Sequence, residues 1–327
     1  MKTNLRGRDF ITLMDYSKEE IETILAVAFS FKMQNAIGQP HEVLKGKSLG
    51  MLFAQPSTRT RISFETGMTE LGGHAQYYTE ENMQRKNKET WEDTGLVVSR
   101  YLHGLMVRLY DLEKYGMARD IMNQIARSAS IPVINGLDDK EHPCQCMGDI
   151  MTIQEKLGEN WKRGKIVMSW AYADRVKSPG VPQAMLIACS LLGADLTLAY
   201  PEGYELDEEY MAFAEKNYAD NGAKLSITND IYEAAADADV IYAKSWGSCS
   251  MPKERDREYR AQFREDWRIS DKHFDLAKKK SCYMHPLPAS RGEEVTDALI
   301  DGPHSIVYDQ AENRLHAQKA VLALLLN

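Results

Sequence analysis

The sequence predicts an α/β protein made of two doubly wound parallel-sheet domains. Three observations point there. Short apolar runs bounded by turn residues recur along the chain, helical patterns alternate with them, and the alternation restarts as a second unit near Lys165. At 327 residues the chain is long enough for two domains, each with its own core.

Taken in order, Ser17 followed by Glu19 and Glu20 reads as the N-cap of a helix over residues 17–35, with Ile21, Ile24, Leu25 and Phe29 on one stripe. The apolar run Ser48–Phe53 reads as a buried strand. It ends in Ala54-Gln55-Pro56-Ser57-Thr58-Arg59-Thr60-Arg61, after which Ile62, Phe64, Met68 and Leu71 recur at helical spacing until Gly72-Gly73 stops the run. A strand, a tight turn and a helix N-terminus gather free backbone N–H groups and the positive end of the helix dipole at one point, which suits a phosphate. Ser57, Thr58 and Thr60 add hydroxyls, and Arg59 and Arg61 bring forked donors. The competing reading is an ordinary Ser/Thr cap with two solvated arginines.

Further strands are expected at 75–78, 104–108 and 131–135, with helices over 90–101 and 112–128. The polar stretch 79–89, with Gln84, Arg85, Lys86 and Lys88, reads as a long loop. Arg108 closes its strand at the C-terminal end, the side on which open α/β sheets bind ligands; a plain surface arginine fits that fact equally well. His142 and Gln145 stand three apart at the start of a helical run through Met147, Ile150, Met151, Ile153 and Leu157, so both can face one crevice. The second unit repeats the pattern with strands at 166–170, 195–199, 240–243 and 281–284 and helices over 181–192 and 207–221. No G-x-G-x-x-G follows its first strand, which counts against a dinucleotide cofactor. Residues 252–280 are dense in charge and read as a polar insertion or exposed helices. His285-Pro286-Leu287-Pro288 is a rigid turn. The last helix should begin near Ala311, and Arg314 alone would pass as a solvated helix arginine.

A net charge of −8 argues against a general nucleic-acid surface, so the local arginines look like tools for a small anion. No apolar run is long enough to span a bilayer, and the first residues lack a signal-peptide core. The cysteines Cys144, Cys146, Cys189, Cys249 and Cys282 are odd in number and scattered, which favours reduced thiols in the cytoplasm and no zinc site.

Together these motifs resemble the aspartate and ornithine carbamoyltransferase family over nearly the whole chain. Ser57-Thr58-Arg59-Thr60-Arg61, Arg108, His142-Pro143-Cys144-Gln145, His285-Pro286-Leu287-Pro288 and Ala311-Glu312-Asn313-Arg314 stand in the family's order. The resemblance implies a carbamoyl-phosphate domain over residues 1–145 and 303–327, an acceptor domain over residues 146–302, interdomain helices, and a trimer with sites between subunits. Ser57, Thr58, Arg59 and Thr60 would hold the phosphate. Thr60, Arg108 and His142 would reach the carbonyl oxygen, Gln145 and the carbonyls around Leu287 the carbamoyl amide, and Arg314 a further part of the donor. Gln84 matches a residue offered to the neighbouring subunit's site. Arg59, Arg108 and His142 are the implied catalytic residues, and the reaction needs no cofactor or metal.

The acceptor stretch departs from the ornithine pattern. Lys244 stands where those enzymes have an acidic residue, so the partner of a free α-ammonium has become a cation, which favours an acylated amine or an extra carboxylate. A surface lysine past a strand end is the bland reading of Lys244. Lys244-Ser245-Trp246 and the loop from Ala171 to Pro182 look like the knotted subgroup, which includes N-acetylornithine and N-succinylornithine carbamoyltransferases. The acceptor set implied is Asp138, Lys244, Ser245, Trp246, Pro286 and Glu294, the last falling where the acetylornithine enzymes carry a modified lysine. A catalytically idle anion-binding homologue is the alternative, and a nucleotide-dependent oxidoreductase the weakest.

Overall fold

The computed structural model describes residues 4–84, 88–110 and 114–327. The chain divides into two compact units, residues 1–151 with 312–327 and residues 152–311, and it passes between them within two helices.

The first unit opens with α1 (Lys18–Ala36), which starts at a complete capping box: Ser17 Oγ accepts from Glu20 N–H while the Glu20 carboxylate accepts from Ser17 N–H. Then follow β1 (Ser48–Phe53), α2 (Thr58–Glu70), β2 (His74–Thr79), a single 3₁₀ turn (Glu80–Asn82), α3 (Trp91–Val98), β3 (Gly104–Arg108), α4 (Met117–Ser128), β4 (Val133–Leu137) and α5 (Pro143–Leu157). All its strands pair in parallel, in the order β2-β1-β3-β4. From β1 the chain builds outward to β2, then crosses back to place β3 on the other side, so the direction switches between β1 and β3. The ends of those two strands, Phe53 and Arg108, are register partners. Beyond them lies the crevice where a parallel sheet takes its ligands.

The second unit repeats the plan with β5 (Ile166–Trp170), α6 (Gly180–Leu192), β6 (Leu196–Ala199), α7 (Glu208–Asn221), β7 (Leu225–Thr228), α8 (Ile231–Ala235), β8 (Val240–Lys244), α9 (Lys253–Arg260), α10 (Asp271–Phe274), β9 (Cys282–Met284) and α11 (Asp297–Ile300). Its parallel order is β7-β6-β5-β8-β9, and the switch falls between β5 and β8, whose last residues Trp170 and Lys244 are partners. The closing helix α12 (Val307–Leu326) leads back into the first unit. Both sheets are cores in the ordinary sense, since every residue of β3, β4, β5 and β8 is buried.

The fold class agrees with the expectation, and the differences are local. Strand β7 was not anticipated: it is four residues long, lies at a sheet edge, and leaves Ile227 48% exposed, too weak a pattern to stand out. Strand β4 runs two residues further than expected, through Gly136 and Leu137. Helix α12 starts four residues before Ala311. Helix α4 begins at Met117; the expected start at Leu112 lies outside the described residues. The charged stretch 252–280 is not a solvated insertion, because Asp256, Arg260, Trp267 and Phe274 are all buried.

Candidate functional site

In the first unit, Ser57 is the N-cap of α2: its Oγ accepts from Thr60 N–H at 3.3 Å and donates to Thr60 Oγ1 at 3.1 Å. Such a cap contributes about 1 kcal/mol, and it fixes the turn that carries Thr58 and Arg59. The turn is tied to the end of β3 from both sides, since Ala54 N–H donates to Arg108 O at 3.0 Å and Tyr110 N–H to Gln55 Oε1 at 3.0 Å.

Arg108 is 8% exposed and donates from Nη1 to Gly136 O at 3.0 Å, with a long contact from Nη2 to Tyr110 Oη at 3.5 Å. Gly136 is where the register between β3 and β4 slips, and a Cβ there would meet Met106 Sδ at 2.3 Å. Only glycine lets the bulge turn its carbonyl onto the guanidinium. Arg314, 4% exposed on α12, donates from Nη2 to Thr60 Oγ1 at 3.2 Å. It comes this near because Gly148 has no side chain: a Cβ there would lie 3.0 Å from Arg314 Cγ and 3.1 Å from its backbone N.

Burial lowers the pKa of Arg59, Arg108 and Arg314, that of Arg314 to about 10, and the three guanidiniums are close enough to repel one another. Among the described residues none of the three has a carboxylate within ion-pair distance, and Nε of Arg108 and Arg314 has no hydrogen-bond partner. Asp149 adds some negative potential at Arg314, and its Oδ1 accepts from Gln145 Nε2 at 2.8 Å, which leaves Gln145 Oε1 to accept from a ligand. A buried cation with only neutral acceptors costs several kcal/mol, so Arg108 and Arg314, with half-buried Arg59 beside them, form a site that an anion would stabilise. His142, 4% exposed, sits one residue before α5, and its carbonyl accepts the first bonds of that helix.

Arg61 belongs elsewhere. It pairs with Glu65 at 2.9 Å and lies over the Tyr77 ring at 4.0 Å, so it is not one of the converging arginines. Asp138 is also committed: its carboxylate pairs with Arg119 and accepts from Lys140 N–H at 2.9 Å and Glu141 N–H at 2.6 Å. Any acceptor contact by Asp138 would compete with these bonds. Gln84 is exposed next to residues outside the described set, which include Arg85 and Lys86.

In the second unit, the strand-end loops after β5, β8 and β9 converge on Glu294. Its Oε1 accepts from Ser245 N–H at 2.7 Å; its Oε2 accepts from Lys177 Nζ at 2.6 Å and Ser290 N–H at 2.7 Å, with His285 Nε2 at 3.2 Å. Burial pushes this carboxyl up, but His285 and Lys177 outweigh it and hold Glu294 well below the usual carboxylate range. His285 Nδ1 accepts from Leu287 N–H at 2.9 Å, so in the neutral ring Nε2 carries the proton and faces the carboxylate. Burial keeps His285 below its ordinary pKa, and we therefore take Lys177 as the charge that balances Glu294. Leu287 has φ of 52°, a left-handed backbone uncommon for a branched side chain, in the middle of the expected proline turn. Lys244 is 8% exposed; its Nζ donates to Ser178 O at 2.6 Å and Ser245 O at 2.8 Å. Burial first, and then Lys177, push its pKa down to about 7. Trp246 is fully buried and donates from Nε1 to Tyr204 O at 2.9 Å.

Sequence reasoning missed Lys177, Arg260, Asp256 and Asp149. Asp256 and Arg260 stand four apart on α9, a spacing visible in the sequence but equally typical of a surface pair. Among the described residues no cluster of three or more His, Cys, Asp or Glu side chains is arranged to hold a metal, and no helix is long and apolar enough to cross a membrane.

The two strand-end sites coincide with two family models: the carbamoyl-P binding domain of aspartate/ornithine carbamoyltransferases matches residues 8–155, and the Asp/Orn binding domain matches residues 171–325. The chain is 46% identical over 326 residues to an ornithine carbamoyltransferase of Pyrococcus abyssi, covering 100% of this chain and 98% of that one. The ornithine carbamoyltransferase structure of Pyrococcus furiosus matches with a TM-score of 0.88 at 45% identity, covering 99% and 98% of the two chains. An acetylornithine transcarbamylase complexed with acetylcitrulline matches with a TM-score of 0.91 at 33% identity, covering 98% and 99%. With both halves of the sequence matched and the arginine cluster in place, the chain belongs to the aspartate/ornithine carbamoyltransferase family.

Proposed function

We propose that this protein transfers the carbamoyl group of carbamoyl phosphate to the amino group of a small amino-acid-like acceptor, releasing phosphate. The observation that carries the donor half is the set of three mutually repelling arginines, buried Arg108 and Arg314 with half-buried Arg59, beside the capped N-terminus of α2. In this reading the phosphate lies on Ser57, Thr58, Arg59 and Thr60, with Arg314 adding a contact. Arg108, His142 and Thr60 donate to the carbonyl oxygen as it gains negative charge. Gln145 Oε1 and the Leu287 carbonyl accept from the carbamoyl amide. The neutral acceptor amine attacks the carbamoyl carbon, the new N–C bond forms as the C–O bond to phosphate breaks, and the amine proton leaves with the phosphate. Positioning and charge neutralisation supply the rate, so no side chain is needed as a dedicated base.

For the acceptor, Lys244 is the informative residue. It is held only by backbone carbonyls and its ammonium is destabilised by burial, so an acceptor carboxylate or acyl oxygen beside it is favoured and a free α-ammonium is disfavoured. That supports an acceptor of the N-acylated or dicarboxylic kind, with Ser245, Trp246 and Pro286 lining it and Asp138 and Glu294 shaping it. Plain ornithine is the rival, and the names of the ornithine carbamoyltransferase relatives favour it. The donor part would comprise residues 1–145 and 303–327 and the acceptor part residues 146–302, with the knot of the acetylornithine-type subgroup in the latter. The same reading includes a homotrimer in which Gln84 serves the neighbouring subunit. All five cysteines are free, which supports a reducing compartment such as the cytoplasm.

Carbamoyl phosphate should raise the melting temperature of the wild type and should fail to do so for Arg59→Ala, which should also be inactive. A shift retained in the variant sinks the donor assignment. Phosphate release measured with L-ornithine, N-acetyl-L-ornithine and dicarboxylic amines then ranks the acceptors. Release that no amine accelerates would favour an idle anion-binding protein.

A further inference from the structure

We infer that Arg260 and Asp256, outside every motif that marks the family here, form a clamp that positions the acceptor loop after β8; this rests on the acceptor reading of the second unit given above. Arg260 is 0% and Asp256 1% exposed, and they pair across one turn of α9. Every part of the guanidinium is engaged. Nε donates to Asp256 Oδ1 at 2.8 Å; Nη1 donates to Ala173 O at 2.8 Å, to Ser245 Oγ at 3.2 Å and, at 3.3 Å, to Arg175 O; Nη2 donates to Trp246 O at 3.1 Å. The Asp256 carboxylate in turn accepts from Tyr204 Oη at 2.8 Å and from Ser248 N–H at 2.9 Å.

These partners come from three separate stretches: the loop after β5, the loop after β8, and the segment around Tyr204 after β6. The first two follow the strands that flank the switch point of the sheet, and β6 lies next to β5. The loop after β8 is therefore pinned from two sides. Glu294 holds Ser245 N–H, and the clamp holds Ser245 Oγ, Trp246 O and Ser248 N–H. Lys244 takes its place from this loop, since one of its two acceptors is Ser245 O. Planar forked donation to three carbonyls and a carboxylate is something lysine cannot reproduce, although lysine keeps the charge. The aromatic walls fit the same role: Trp170 and Tyr204 each lie 5.7 Å from the guanidinium carbon, and Trp170 Nε1 donates to Trp246 O at 2.9 Å. The clamp touches no proposed reacting atom, so it is a positioning pair.

The test compares wild type with Arg260→Gln, Arg260→Lys and Tyr204→Phe in two measurements. The first is steady-state kinetics, using whichever amine of the panel of L-ornithine, N-acetyl-L-ornithine and dicarboxylic amines the wild type turns over fastest. Arg260→Gln should raise the acceptor KM by about tenfold or more, because small misplacements of binding groups are costly, while the KM for carbamoyl phosphate stays near the wild-type value. Arg260→Lys should recover melting temperature more than it recovers acceptor KM. The second measurement is amide hydrogen exchange, in which residues 245–248 should lose protection in Arg260→Gln while β1 keeps it. An acceptor KM and loop exchange both at wild-type values would overturn the clamp, as would equal rises in both KM values with a global loss of protection. Should Arg260→Gln not fold, Tyr204→Phe removes a single bond to Asp256 and should raise the acceptor KM about threefold; no change overturns the inference. A wild type that turns over no amine of that panel refutes the functional reading instead, and the exchange measurement still decides the clamp.

Discussion

The two units solve opposite electrostatic problems with the same fold. In the first, Arg59, Arg108 and Arg314 are drawn together at a sheet switch point and given only a carbonyl, a phenol and a hydroxyl as partners. In the second, at the equivalent switch point, Arg260 meets Asp256 and half-buried Lys177 meets Glu294, each carboxylate buried and filled with further N–H or O–H donors. Cations without counter-charge wait for a ligand; closed pairs are architecture. Lys244 stands between the two cases, since carbonyls hold it in place without neutralising it.

The largest effect should come from opening a closed pair. Glu294→Gln leaves Lys177 without its partner and weakens the bonds to Ser245 and Ser290, so about 3–5 kcal/mol of stability should be lost, as for other broken buried pairs. Its pH dependence follows from the sign of the shift. The folded pKa is depressed, so the stabilisation is present above the unfolded value near ~4.3 and disappears as pH falls through the folded value. Denaturant titrations at neutral and acid pH should show the two proteins converging in acid. A gap that persists there breaks the comparison.

Arg108→Ala probes the open cluster and should do the reverse. Removing one of three repelling cations should leave the ligand-free melting temperature unchanged or raised. The loss should fall on turnover, about 10²–10³-fold, the scale for deleting one donor to a developing oxyanion. A variant that is strongly destabilised yet still active would show that Arg108 is architecture after all.

How much of this was legible beforehand follows the same division. The fold class was readable because buried parallel strands announce themselves as near-continuous apolar runs, and β1, β3, β5 and β8 all do. The capped turn was readable too, because Ser57 to Arg61 places a cap and cations at a strand-to-helix junction where geometry is local. Arg260 was not, since a buried ion pair on a helix has the same spacing as a solvated one, and only the packing of Trp170, Tyr204 and three loops around it tells them apart. The ion pair of Asp138 was hidden for a related reason: its sequence position says nothing of Arg119, which comes from α4.

The next effect is smaller at neutral pH and shows as a slope. Lys244 has a folded pKa of about 7, below its unfolded value near ~10.4, so between those limits the unfolded chain binds the extra proton. Wild-type stability should therefore climb with pH across that window relative to Lys244→Met, which lacks the group. Parallel curves from thermal melts over the window would show that the ammonium is as comfortable folded as unfolded, and would remove the argument for an anionic group on the acceptor.

The smallest effect sharpens the boundary of the open cluster. Arg59 and Arg61 are two residues apart on α2, which turns their side chains about 200° from one another. Arg61 accordingly sits against Glu65 and the Tyr77 ring, with its side chain 48% exposed. An exposed pair contributes at most about 1 kcal/mol, and a cation over an exposed ring a similar amount. Arg61→Ala should thus cost about 1 kcal/mol in unfolding and leave the carbamoyl-phosphate melting shift intact, whereas Arg59→Ala abolishes it. Equal loss of the shift in both would mean that the ligand reads the whole Ser57 to Arg61 stretch as a charged patch, and that the unpaired arginines alone do not define the site.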